Sequence, residues 1–412
     1  MVGWVIRYIW PGKRWRRLES RSEKSELIVL FVCIFLVGMG FSIIMPVLPY
    51  YAESLGANAF QLGLLITVYA VCQFIFAPIW GTYSDRVGRK PVLLAGIFGF
   101  ALTFILFAFA NQLWQLYLIR MAGGIMSCAT MPTAMAYVGD TTSLENRGKS
   151  MGLIGAAMGI GMIIGPAIGG LLSEISLSFP FLFAGILALF NSLGVLLVLK
   201  ESLPEERRVY RKFQRVSLLQ GLKTPLALIF VVMLLVSTGE SIHHGTFALF
   251  TGAKLGFTAR SIGWSFTAAG LVSTLVQGLL VGRLINRLGE ERTAITGIFL
   301  MGLSFVLFIF TFDVPSSIVF MSVFAAGIGL MRPSISSAVS KRAIGGQGFS
   351  MGVLQGYDSL GRAIGPALGG MMLDLGLNLG YITATVITTV ALVTMVVGSR
   401  AEARLAREES SA

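Results

Sequence analysis

Four charged side chains interrupt apolar stretches in the second half of this chain: Glu240, Arg332, Asp358 and Arg362. His243 and His244 follow Glu240 closely, and Arg120 stands alone in an apolar stretch of the first half. Asp358 and Arg362 are four residues apart, one turn of a helix. A carboxylate poised between burial and a neighbouring arginine takes up or releases a proton when that arginine moves. An imidazole titrates near neutral pH without such help. The chemistry these types could do together is therefore proton binding coupled to motion. A static ion-pair network that locks helix register is the competing reading. For Arg120 a structural role, bonded to backbone carbonyls, is equally open.

These residues lie in elements of one kind. The chain has 412 residues, 55% hydrophobic and only 13% charged, with a mean hydropathy of +0.79. Apolar runs long enough to cross a bilayer as helices recur along it. We count twelve spans: 27–49, 60–81, 92–110, 114–138, 151–172, 180–199, 226–248, 261–283, 293–312, 316–339, 350–372 and 377–398. Forty-nine glycines imply close helix–helix approach. The expected fold is an all-α membrane protein of twelve helices in two six-helix bundles. A basic N-terminal segment (1–26), a bundle (27–199), a linker (200–225), a second bundle (226–398) and a tail (399–412) follow in order.

The net charge of +12 is a matter of topology. Of 32 Lys and Arg, 27 fall in the termini and the loops on the same side as the termini. By the positive-inside rule both termini are cytoplasmic, in an inner or plasma membrane. This distribution excludes a nucleic-acid footprint and leaves lipid as the surface partner. Cys33, Cys72 and Cys128 lie inside spans without pairing or metal-ligand spacing, so neither disulfide nor metal is expected. The Trp- and Arg-rich segment 1–26 reads as an interfacial helix or a basic tail, not a cleavable signal.

The chain repeats itself. "MGLIGAAMGIGMIIGPAIGG" (151–170) and "MGVLQGYDSLGRAIGPALGG" (351–370) share nine of twenty positions at an offset of 200. "GTYSDRVGRK" (81–90) returns as "GRLINRLGEE" (282–291), and Pro132 as Pro333. Asp358 and Arg362 replace Met158 and Met162, so span 11 has gained charge where span 5 has none. Parallel repeats of six spans are an architecture of secondary transporters, with the substrate site between the halves.

The motifs carry a family resemblance over essentially the whole chain. "GTYSDRVGRK" resembles the span 2–3 signature of the major facilitator superfamily, with Gly81, Asp85, Arg86, Gly88, Arg89 and Lys90 in place. "RMAGG" with Pro132, "GIGMIIGPAIGG" and "GMGFSIIMPVLP" resemble its signatures in spans 4, 5 and 1. Within the superfamily the chain is most similar to the twelve-span drug:proton antiporters, the multidrug and tetracycline exporters of bacteria. The resemblance implies alternating access powered by a proton gradient, with no cofactor. It implies a cytoplasmic gate at residues 81–91, where Asp85 would bond the helix N-terminus of span 11. It implies that Gly155, Gly161, Gly165, Pro166, Gly169 and Gly170 make span 5 a close-packed helix facing the other half. It implies a proton-relay role for Arg120 and a cavity lined by spans 1, 4, 7 and 10, where Phe41, Met45, Phe247 and Phe250 are candidates. Val37 and Thr103 stand where tetracycline exporters carry acids, which disfavours that substrate.

Depth suggests pairings. At about 1.5 Å per residue, Asp358 and Arg332 lie some 12 and 10 Å from the cytoplasmic face, and Arg362 and Glu240 about 18 and 21 Å. The expected pairs are Asp358–Arg332 and Arg362–Glu240, with His244 one turn beyond Glu240. "GFSMG" (348–352) fits a nucleophile motif, but Ser350 opens a span rather than a strand-to-helix turn, so no catalytic residue is assigned. The expectation is a monomeric, proton-coupled exporter of amphipathic or cationic small molecules. A dedicated carrier of one metabolite or lipid-like molecule, working as exporter or importer, is the alternative, and a membrane-embedded hydrolase a remote one.

Overall fold

A computed structural model describes residues 21–142, 144–208, 218–343 and 347–411. The first bundle consists of helices Arg21–Ser54 (span 1), Ala59–Val87 (span 2), Arg89–Ala108 (span 3), Leu113–Ser127 with Thr130–Thr141 (span 4), Leu144–Leu172 (span 5) and Phe179–Val198 (span 6). The second consists of Ala227–Leu255 (span 7), Ala259–Leu288 (span 8), Glu290–Ile309 (span 9), Val314–Lys341 (span 10), Gln347–Leu375 (span 11) and Leu379–Ser411 (span 12). The helices outrun the apolar stretches, because backbone hydrogen bonding continues past the hydrocarbon boundary. The helix of span 12 continues beyond the apolar span, which ends at Ser399, through Ser411.

Local chemistry sets the helix ends. Asn58 caps span 2, accepting from Gln61 N at 2.8 Å while its own N–H donates to Gln61 Oε1 at 3.0 Å. Asp313 and Ser316 do the same for span 10. Gly88 and Gly289 turn the chain between spans 2 and 3 and between spans 8 and 9 with φ of 110° and 81°, a region open to glycine. Span 4 breaks at Cys128–Ala129, because Pro132 offers no N–H to the Cys128 carbonyl and its ring crowds that turn. Span 8 absorbs an extra residue in a π-helical turn at Val276–Leu280.

Span 1 packs on span 5 and span 7 on span 11 within each half, while span 2 meets span 11 and span 5 meets span 8 across the halves. A Cβ on Gly161 or Gly169 would lie 2.3 or 2.7 Å from the Phe35 or Ile43 carbonyl oxygen of span 1. The repeat reproduces this: Gly361 and Gly365 lie against Leu234 and Thr238 of span 7. On the side opposite the basic loops the halves touch backbone to backbone. Gly63 meets Pro366, Gly370 meets Ala59, Gly263 meets Pro166 and Gly170 meets Ala259. Toward the basic side, among the described residues, nothing lies within 4 Å of where a Cβ would stand on Gly81, Gly155, Gly278 or Gly282. The described residues of the two halves meet closely on one side and stand apart on the other.

Candidate functional site

The four charged residues of the second half form one network. Arg332 reaches Glu240 Oε2 at 2.7 Å and Asp358 Oδ1 at 3.0 Å through a single amino group. Its Nε adds a bond to Glu240 Oε2 at 3.2 Å. Asp358 also accepts from Ser237 at 2.6 Å, from Gln355 at 3.2 Å and from Arg362 at 2.9 Å. Ser237 and Glu240 share a face of span 7, three residues apart. The Asp358 side chain is 4% exposed, Glu240 12%, Arg332 29% and Arg362 43%. Two acids balance two bases, and the exposed end is the arginine end.

Arg332 thus meets Asp358, as its depth suggests, but also takes the partner expected for Arg362. Among the described residues Arg362 pairs with Asp358, not Glu240. Depth alone ignores rotation about the helix axis, and one turn on a shared face outweighs a match in height. His244 lies against Phe266 and Phe324, with ring centroids 5.9 and 5.8 Å away. His243 is fully buried, bonded to the Tyr381 hydroxyl at 3.1 Å and enclosed by Phe247, Phe305, Phe308 and Phe324.

Phe247 and Phe250, the cavity candidates of span 7, are both 0% exposed and packed in the core of the second bundle. Phe247 follows His243 by one turn and so shares its inward face. Phe41 and Met45 are half-buried; Phe41 lies 6.1 Å from the Tyr69 ring, and Met45 packs against the second bundle. Arg120 is 6% exposed, its guanidinium carbon 5.1 Å from the Tyr69 ring centre and 5.5 Å from that of Phe107. It bonds to no backbone carbonyl among the described residues, and its Nε is buried without a hydrogen-bond partner.

In the loop between spans 2 and 3, Asp85 pairs with Arg89 of its own half at 2.6 Å. Arg89 also holds Asp140 at 2.9 Å, and its guanidinium donates to Ser84 at 2.6 Å. The anion at a helix N-terminus here is Glu201, which accepts from Arg89 N at 2.7 Å and Lys90 N at 3.2 Å at the start of span 3. Residues 344–346, before span 11, lie outside the described residues, and with them the partner expected for Asp85. The second loop mirrors the first with signs exchanged: Glu290 pairs with Lys341 and Glu291 with Arg342. Arg89–Asp140 and Glu290–Lys341 are the same pair at an offset of 201, with acid and base swapped. The sign change therefore has a source within each half.

The sequence reading passed over the clasp on the opposite side. Asp374, at the end of span 11, accepts from Ala59 N at 3.0 Å and Phe60 N at 2.8 Å at the start of span 2. Its repeat counterpart Glu174 meets Arg260 of span 8 at 3.0 Å. Tyr50 of span 1 adds a bond to the Phe257 carbonyl at 2.6 Å. An acid at the same place in both copies of the repeat was the available signal.

Two six-helix halves related by a repeat, joined across spans 2–11 and 5–8 and closed at one end, define a membrane transporter architecture. The family model described as Major Facilitator Superfamily matches residues 30–239 and 229–411, and the chain belongs to that family as a multi-pass membrane protein. It is 33% identical over 382 residues to Multidrug resistance protein 2 of Bacillus subtilis (strain 168), covering 90% of this chain and 94% of that one. It is 34% identical over 351 residues to the class D Tetracycline resistance protein of Salmonella ordonez, covering 83% and 88%. Among solved structures it is similar to the nucleoside transporter NupG, with a TM-score of 0.80 at 14% identity over 90% of this chain and 99% of that one.

Proposed function

We propose that this protein is a proton-coupled antiporter that exports amphipathic or cationic small molecules across the cell membrane, with both termini cytoplasmic. The observation that carries the reading is Arg332 bridging Glu240 and Asp358 at the meeting of spans 7, 10 and 11. One cation shared by two acids is a switch. A proton on either carboxylate removes one of its two partners, and a cationic substrate competes for the same acids. In either case Arg332 swings toward the carboxylate that remains charged, and the contacts between spans 7, 10 and 11 change with it. The similarity to relatives named for multidrug and tetracycline resistance supports export of small molecules. The proton gradient is the energy source, with no cofactor, and each monomer works alone.

The splayed basic side corresponds to a state open to the cytoplasm. Closing it requires the loop at Asp85 to approach span 11, while Asp374 and Glu174 release their partners on the other side. The test is pH-gradient-driven efflux in proteoliposomes. Asp358→Asn and Glu240→Gln should each abolish uphill transport and spare downhill exchange. If the double variant still concentrates substrate, the network only fixes helix register.

A further inference from the structure

Tyr357 stands next to Asp358, and the charge network makes no use of it. It is 6% exposed. Its ring lies parallel to that of Phe230 in span 7, with centroids 5.9 Å apart and an interplanar angle of 2°. Its hydroxyl donates to the Leu218 carbonyl at 3.2 Å. Leu218 belongs to the linker between the bundles, where it opens a short helix, Leu218–Gly221, just before span 7. The end of the linker is therefore docked on span 11, one residue from the acid that Arg332 holds.

Two glycines allow that docking. A Cβ on Gly356 would lie 2.3 Å from Leu218 Cδ2, and one on Gly221 would lie 2.5 Å from Val353 Cγ1. Leu218 packs against the buried core of the second bundle. Gln355, Gly356, Tyr357 and Asp358 stand where span 5 has Gly155, Ala156, Ala157 and Met158. The residue that makes room for the linker and the residue that bonds to it thus occur in the copy of the repeat that carries the acid.

Neighbouring residues of a helix are held about 100° apart, so span 11 cannot turn Asp358 without turning Tyr357. Phe230 and Ser237, two turns apart on one face of span 7, receive these two side chains in succession. The charged and titratable groups around Asp358 are Glu240 and His244 on span 7, Arg332 on span 10 and Arg362 on its own helix, with Tyr69 of span 2 in electrostatic reach of Arg362. The docked end of the linker contributes none of them, and its Lys223 is exposed. Its influence on the acid is geometric: it holds span 11 at the rotation that aims Asp358 at Arg332 and Ser237.

We propose that Tyr357 is a positioning residue for proton binding at Asp358, held in place by the docked end of the linker. This rests on the proton-coupled reading above and adds a control to the same site. The linker runs from the first bundle, so a pull on it as the halves move reaches Asp358 through the Tyr357 hydroxyl. Without that hydroxyl span 11 turns more freely, Arg332 and Ser237 meet the carboxylate less closely, and its charged form loses support.

The experiment is an infrared pH titration of the full chain in phosphatidylcholine nanodiscs, following the C=O stretch of protonated carboxyl groups. The Asp358 component is the one that Asp358→Asn removes. Tyr357→Phe keeps the ring against Phe230, so its melting temperature should stay near wild type. The Asp358 component should nevertheless appear at a pH higher by about half a unit, roughly threefold in proton affinity. Gly356→Ala, which pushes the flexible end of Leu218 aside, should move it in the same direction. Tyr117→Phe removes a comparable bond, to the Gln61 carbonyl in the first bundle, and should leave it unmoved. An unmoved component in both Tyr357→Phe and Gly356→Ala overturns the positioning role alone, as does an equal shift in Tyr117→Phe. If the wild type shows no component that Asp358→Asn removes, proton binding at Asp358 fails and this proposal fails with it.

Discussion

Arg332 holds two acids and Arg362 holds part of one, so the two arginines should not be equivalent. Arg332→Ala strands Glu240 without the one cation that pairs with it among the described residues, a loss of about 3–5 kcal/mol for a buried pair broken on one side. Arg362→Ala leaves Asp358 with Arg332, Ser237 and Gln355, and its own side chain is half exposed. Thermal unfolding in detergent should therefore show a large fall for Arg332→Ala and a small one for Arg362→Ala; the reverse order would contradict the network. Sequence alone brought Asp358 and Arg332 together, because an unpaired charge in lipid demands a partner at its own height. It did not reveal that Glu240 shares the same arginine, nor that Phe247 turns into the core. Both depend on how span 7 is rotated, and apolar periodicity is weak where a helix is covered nearly all round.

Among the elements, span 5 allows the sharpest test. A Cβ on Gly165 would come 2.0 Å from Ser42 Oγ and 2.5 Å from the Met39 carbonyl, whereas one on Gly155 would meet nothing within 4 Å. Gly165→Ala should lower the yield of folded protein and its melting temperature by several degrees, and Gly155→Ala should leave both near wild type. Equal effects would mean that the glycines serve chain flexibility rather than contact. The clasp at the opposite end makes a different prediction. Asp374→Ala removes two bonds to the N-terminus of span 2 but, among the described residues, no side-chain hydrogen bond within its own bundle. A cysteine placed at Thr67, at the span 2–11 contact, should then be labelled faster by an impermeant reagent added outside, with the melting temperature little changed. Unaltered labelling would show that the glycine contacts alone hold that side shut. The glycines of span 5 were readable as a packing face because spacing by four marks one side of a helix. The clasp was not, since an acid at a helix end looks like any solvated residue until the other half is placed beside it.

At the scale of the molecule, the two loop pairs carry opposite polarity. Arg89→Glu places an acid beside Asp85 and Asp140, and should disrupt the basic side of the first half. Adding Asp140→Lys, with Asp85→Asn to match Asn286, copies the arrangement of Glu290 and Lys341, and this variant should recover folding and transport in proteoliposomes. Failure of that variant would mean that the sign of the first pair matters in itself, as a gate closing on span 11 would require. Orientation has its own measurement: cysteines at Ala57 and exposed Asn111 should react from outside intact cells and one at exposed Glu206 should not. Twelve spans, two halves and the side of the basic loops were legible because hydrocarbon admits few backbone solutions and Lys and Arg are unevenly spread. Which end is open was not, since the same sequence must hold both ends closed in turn.

The sealed side uses one pattern twice: Gly370 on Ala59 and Gly170 on Ala259, at equal offsets of 200, with an acid four residues beyond each glycine. Each half therefore presents to its partner a glycine helix and a receiving helix of the same kind. Halves made as separate polypeptides should find each other through these surfaces without the linker. A half should also accept a second copy of itself, forming a two-chain particle with the same closed end. Two first halves would assemble without Glu240, Arg332 or Asp358, and so would be a vessel with a lid and no shared arginine between two acids inside.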